Sequence, residues 1–116
     1  MDAATARGRL EEIRAELGRS ITVLDRADAR HEVASEYPQD AADAGANLSE
    51  NERADAVLAA ARRQLDLVLE ALARIDHGTY GMCVDCGGPV PEGRLEAKPE
   101  AARCVACQAR RDRRRR

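Results

Sequence analysis

The stretch CVDCGGPVPEGRLEAKPEAARCVAC, residues 83–107, places two C-x-x-C pairs seventeen residues apart. Each pair makes a turn that aims two thiolates at one point. Four sulfur ligands at this spacing predict a tetrahedral zinc site formed by Cys83, Cys86, Cys104 and Cys107. Gly87 and Gly88 supply open backbone angles after the first pair, and Pro89, Pro91 and Pro99 restrict the unfolded freedom of the loop. With four protein ligands no position is left for water, so this zinc is read as one structural ion. Redox sensing by the thiols is the lesser alternative. A thioredoxin-like dithiol is weaker still, because no βαβ pattern surrounds either pair. The segment has few apolar groups of its own, so zinc is expected to fold it, with Val84, Val90, Leu95 and Val105 as a small satellite core. His31 and His77 are read as surface residues, since four Cys already complete the shell.

Upstream of the finger the chain reads as helix. Leu10, Ile13, Leu17, Ile21 and Leu24 recur at steps of three and four, one stripe of an amphipathic helix running from about Ala3 to Ser35. Pro38 forbids smooth continuation. SENE, residues 49–52, matches a capping box with Ser49 as N-cap, so a second helix is expected from near Ser49. Its stripe is Ala54, Leu58, Ala61, Leu65, Val68, Leu72 and Ile75, close to a coiled-coil seam, and Gly78 is placed to end it. Two amphipathic helices with a short connection fold back as an antiparallel pair; a parallel coiled coil between chains is the alternative. The expected fold is mainly α: an antiparallel coiled-coil helical hairpin, a small C-terminal four-cysteine zinc finger, and a short terminal helix from about Val105. The expected divisions are a hairpin over 1–77 with its tip near 36–48, a finger over 78–110 and an Arg-rich tail over 111–116.

Composition agrees with long, solvated helices. The 116 residues include no Phe or Trp and only two Tyr, too few large side chains for a core of normal size. Charged residues make up 34% of the chain, yet the net charge is −2, so the whole molecule is no generic polyanion binder. The charge is unevenly spread. Between Arg30 and Arg53 there is no Lys or Arg, while Glu32, Glu36, Asp40, Asp43, Glu50 and Glu52 lie there; residues 110–116 read RRDRRRR. No apolar run is long enough to span a membrane, and the N-terminus lacks the apolar region of a signal peptide, which places the protein in the cytoplasm. In that compartment four cysteines favour metal over disulfides.

GTYGMCVDCGGPVPEGRLEAKPEAARCVACQ, residues 78–108, closely resembles the C-terminal zinc finger of the DksA/TraR family of bacterial transcription regulators. The Gly-x-Tyr-Gly lead-in at Gly78 to Gly81 and the Arg-Leu-Glu-Ala run at Arg94 to Ala97 carry the likeness. Family members with a full coiled coil have Asp-x-x-Asp-x-Ala at the tip; Asp40-x-x-Asp43-x-Gly45 stands there in this chain. The resemblance implies a non-enzymatic protein that binds RNA polymerase rather than specific DNA sequences. Its coiled coil would enter the secondary channel, and its acidic tip would alter promoter-complex stability. It makes Asp40, Asp43 and Gly45 the effector tip and leaves Lys98, Arg110 and Arg111 as possible basic contacts. Family contacts to the alarmone ppGpp fall on Leu67, Lys98 and Gln108. Only Lys98 is charged, which argues against a ppGpp site of that kind. Gly45 in place of Ala loosens a helical tip by about 1 kcal/mol. The Arg-rich tail has two readings, a solvated helix end and a contact with nucleic acid or an acidic polymerase surface. The expected state is a monomer without membrane contact. Two other classes compete: a zinc-ribbon nucleic-acid binder and a coiled-coil interaction module.

Overall fold

A computed structural model describes the backbone of residues 1–34 and 41–115, and the side chains of 1–27 and 49–115. Helix α1 spans Ala3–Ala34 and α2 spans Ala41–Asp76. Two short helices follow, α3 over Glu92–Ala97 and α4 over Val105–Arg114. The described residues contain no strand, only an isolated bridge between Met82 and Pro89. The fold is the expected helical hairpin with a cysteine-rich finger and a terminal helix.

Local chemistry explains the ends of α1 and α2. Asp2 caps α1: its side chain accepts a hydrogen bond from the Thr5 backbone N–H at 2.7 Å, satisfying one of the orphan donors of the first turn. That bond holds the Asp2 carboxyl below its ordinary range. At the far end of α2, the N–H of Thr79 reaches the Arg74 carbonyl at 2.9 Å and that of Gly78 reaches Ile75 at 3.2 Å. This crossed pair is a Schellman ending, and it needs the positive φ of +74° that Gly78 adopts. The start of α2 differs from the sequence reading. The helix begins at Ala41, so Ser49 lies inside it and is not its N-cap. The capping-box pattern was matched, but Ala41, Ala42, Ala44 and Ala46 are strong helix formers, and they let the helix start two turns earlier.

The chain divides into two compact units. One comprises Met1–Arg14 with Asp66–Arg116, the other Ala15–Leu65. In the first, Ala6 and Leu10 on α1 and Val68, Ala71 and Leu72 on α2 are buried. A separate buried cluster fills the finger: Cys83, Val90, Leu95, Ala101 and Cys107, with Met1, Tyr80 and Cys104 packed against it. Val90 and Leu95 are therefore core residues, as expected. Val84 and Val105 are not; they are 49% and 60% exposed. Each follows a ligand cysteine, and turning the sulfur inward turns its neighbour outward. In the second unit the stripe residues Leu17, Ile21, Leu24, Ala54, Ala61 and Leu65 are half-buried and Leu58 is buried. An ion pair between Arg62 and Asp25 at 2.8 Å crosses from α2 to α1 there.

Candidate metal centre

Two different local structures deliver the four sulfurs. In the first pair, the Gly87 N–H donates to the Cys83 carbonyl at 2.9 Å, closing a turn around Cys86. Gly87 sits at φ +74°, a conformation a side chain would strain; Gly88 does not share it. In the second pair, Cys104 is the N-cap residue of α4 and Cys107 stands in its first turn. The Gln108 N–H bonds the Cys104 carbonyl at 2.9 Å. The positive end of the α4 backbone dipole therefore faces the sulfurs, a favourable arrangement for thiolates.

The two halves are held in register by groups outside the cysteines. The Val84 N–H donates to the Ala102 carbonyl at 3.0 Å. Arg103 donates through Nε to Asp85 at 2.8 Å, and Arg94 donates to the Arg103 carbonyl at 2.9 Å. Tyr80 donates its hydroxyl to the Pro99 carbonyl at 2.9 Å, and burial pushes its phenol up from the ordinary value. The finger is also tied to α1: Arg9 donates to the Glu96 carbonyl at 2.7 Å, and the N-terminal ammonium pairs with Glu92. None of these contacts follows from the sequence pattern. Tyr80 and Arg94 lay within the motif that carried the family resemblance, but Arg103 and Asp85 gave no signal beyond proximity to cysteines.

The four Sγ atoms lie within 4.8 Å of one another, and Cys86 and Cys104 are 3.9 Å apart. No disulfide joins them. A tetrahedral zinc with bonds of about 2.3 Å requires sulfurs about 3.8 Å apart, so the spacing fits the ion. Electrostatics point the same way. Backbone N–H groups of Cys86 and Cys104 pull the Cys83 thiol down to about 6. The hydrogen-bonded thiol of Cys104, with burial, pushes Cys107 up to about 12. Thiols this close cannot all ionise on their own, and a divalent cation among them removes that conflict. The ion is structural: it cross-links two halves of a segment with a small core of its own.

The other predicted positions scatter. Arg110 donates to Cys107 Sγ at 3.1 Å. Arg110 and Arg111 line one cavity on α4, whereas exposed Lys98 caps the end of α3 and is not part of it. His77 is exposed and bonds the Ala73 carbonyl through Nδ1 at 2.7 Å. Asp43 and Gly45 fall on the backbone of α2 in its first turns. The side chains of Asp43 and His31, and the whole of Asp40, lie outside the described residues.

Residues 78–113 match the model of the prokaryotic dksA/traR C4-type zinc finger. The RNA polymerase-binding transcription factor DksA of Caulobacter vibrioides is 40% identical over 55 residues, covering 47% of this chain and 39% of that protein. A protein of Aquifex aeolicus is 44% identical over 45 residues, 39% of this chain and 29% of its own length. The aligned part thus spans well under half of these relatives. Among solved structures, transcription factor DksA2 from Pseudomonas aeruginosa superposes with a TM-score of 0.78 at 28% identity, covering 99% of this chain and 88% of that one. The RNA polymerase binding protein and transcriptional regulator of Chlamydia trachomatis gives a TM-score of 0.60 at 20% identity, over 96% of this chain and 87% of that one, a likeness of fold.

Proposed function

We propose that this chain, whose residues 78–113 match the dksA/traR C4-type zinc finger, is a four-cysteine zinc-finger protein of the DksA/TraR family that regulates transcription by binding RNA polymerase in the cytoplasm. The observation that carries this reading is the likeness to DksA2 over nearly the whole chain, hairpin included and not the finger alone. The hairpin tip is the working end. Asp40 and Asp43 enter the secondary channel and change promoter-complex lifetime, on a helix that starts at Ala41 and so carries Asp43. The protein acts as a monomer and by contact, not by catalysis: its zinc has four protein ligands and no open position. Among the described residues no helix is long and apolar enough to cross a membrane. Lys98 is the one charged residue among the three positions of the family's ppGpp contacts, so the activity does not depend on ppGpp bound there.

The test is binding of the zinc-loaded protein to its cognate RNA polymerase core, beside an Asp40→Asn/Asp43→Asn variant. Both should bind within about twofold of each other, since the lost carboxylates belong to the effector end. Promoter-complex lifetime should respond at least about tenfold less to the variant, the scale of one or two lost charge-assisted hydrogen bonds. Failure of both proteins to bind would remove the reading. Loss of binding by the variant alone would make the tip an anchor and not an effector.

A further inference from the structure

The last turns of α4 form a wall of arginine beside the finger. Arg110, Arg111 and Arg114, with Val84, Asp85, Cys86 and Cys107, line an open cavity of about 510 Å³. Residues 107, 110, 111 and 114 recur at three- and four-residue steps, so one face of α4 carries all three guanidinium groups. Their possible partners are engaged elsewhere. Asp85 is paired with Arg103 at 2.8 Å, and Asp112 accepts from Gln108 at 3.0 Å on another face of the helix. Arg110 has a local role against the thiolate of Cys107, at 3.1 Å. Arg111 and Arg114 have no partner among the described residues. One arginine thus balances the sulfurs, and two point their charge at an empty concavity.

We infer that this cavity is a binding site for a phosphate oxyanion, held at its rim by Arg111 and Arg114 with Arg110 behind them. Planar guanidinium groups bond phosphate oxygens in pairs, and a doubly or triply charged group relieves the repulsion among neighbouring cations. The sulfurs of Cys86 and Cys107 repel an anion, so the phosphate sits on the arginine side of the cavity. The chain has no Phe or Trp, and no aromatic residue lines the walls, so nothing there stacks on a nucleobase; recognition is of the phosphates alone. Gln108, where the family resemblance puts a ppGpp contact, lies about 60° around the helix from Arg111 but does not line the cavity, and its side-chain amide donates to Asp112 at 3.0 Å. The cavity is thus built from other side chains than that contact. It does not rest on the polymerase reading and is testable without polymerase.

The experiment uses the zinc-loaded full chain and follows the arginine Nε resonances by NMR during titration with inorganic pyrophosphate, with ATP, and with a 20-base-pair DNA duplex. Zinc content is measured before and after each titration. Pyrophosphate should shift Arg111 and Arg114 with a submillimolar Kd, and Arg111→Gln/Arg114→Gln should weaken it at least tenfold with zinc retained. Equal affinity for ATP and pyrophosphate identifies the free polyphosphate end as the ligand. Tighter binding of the duplex at the same arginines identifies a nucleic-acid phosphate. Absence of saturable shifts with pyrophosphate overturns the proposal, as does a double variant that binds equally well. Binding of the duplex without pyrophosphate binding also overturns it, in favour of diffuse charge attraction along the tail.

Discussion

The unit Ala15–Leu65 and the unit that holds the finger are built from the same two helices by different means. Among the described side chains of Ala15–Leu65, Leu58 alone is buried. In the other unit Ala6, Leu10, Val68, Ala71 and Leu72 are buried, and the finger adds a cluster of five. The stripes are equally regular in both. Two paired helices shield each apolar residue on one side only, which leaves most of them half-exposed. Burial among the described side chains is therefore concentrated in the unit that holds the finger.

The comparison can be broken most directly at the metal. Removing zinc with a chelator, or substituting Cys107→Ser, should unfold α3 and α4 and leave the helical amide signals of Ala15–Leu65 in place. Structural zinc contributes on the order of 10 kcal/mol to such segments, more than their apolar contacts supply. Persistent finger signals without zinc would show that the small core suffices. Acid should act in the same direction. The Cys83 thiol is held at about 6, below its ordinary value of 9.0. A depressed value means that the thiolate stabilises the fold above the ordinary value, and the contribution is lost as pH falls through about 6. Protons and zinc compete for the same sulfurs, so zinc release, followed with a colorimetric chelator, should rise as the pH falls.

Smaller changes sharpen the contrast. Leu10→Ala removes a fully buried side chain and should cost about 3 kcal/mol in urea unfolding, whereas half-buried Leu17→Ala should cost about 1 kcal/mol. Equal costs would mean that burial does not distinguish the two units. The smallest effect is expected at the Asp25–Arg62 pair, whose side chains are 48% and 57% exposed. A double-mutant cycle should give about 0.5 kcal/mol or less, falling further in high salt.

Periodic and spaced features could be read from the sequence; features set by close approach could not. The stripes, the cysteine ligands, the Gly78 ending and the start of α4 at Val105 follow from rules that act over a few residues. The start of α2 was misread because Ser49 to Glu52 fits a cap that the alanines upstream override. Helix α3 was not foreseen, since six residues are too few to show a period. Ala101, Pro99 and Glu100 are buried because the loop packs closely at those points, and nothing in their residue types announces it. For the tip, the sequence names Asp40, Asp43 and Gly45 through the family likeness, while periodicity says nothing of what carboxylates there would meet.

Cys104 has two duties at once, as a sulfur donor and as the residue from which α4 starts. Ten residues rich in arginine have little reason to be helical alone, because like charges repel and the first turn is unfavourable to nucleate. The geometry of the basic face is thus conditional on the ion. A metal-loaded chain presents its arginines as an ordered row on one side of a rigid rod, while a metal-free chain carries the same charge on a fluctuating string. Zinc status is thereby translated into the outward pattern of charge, a quantity that a partner can sense without touching the metal.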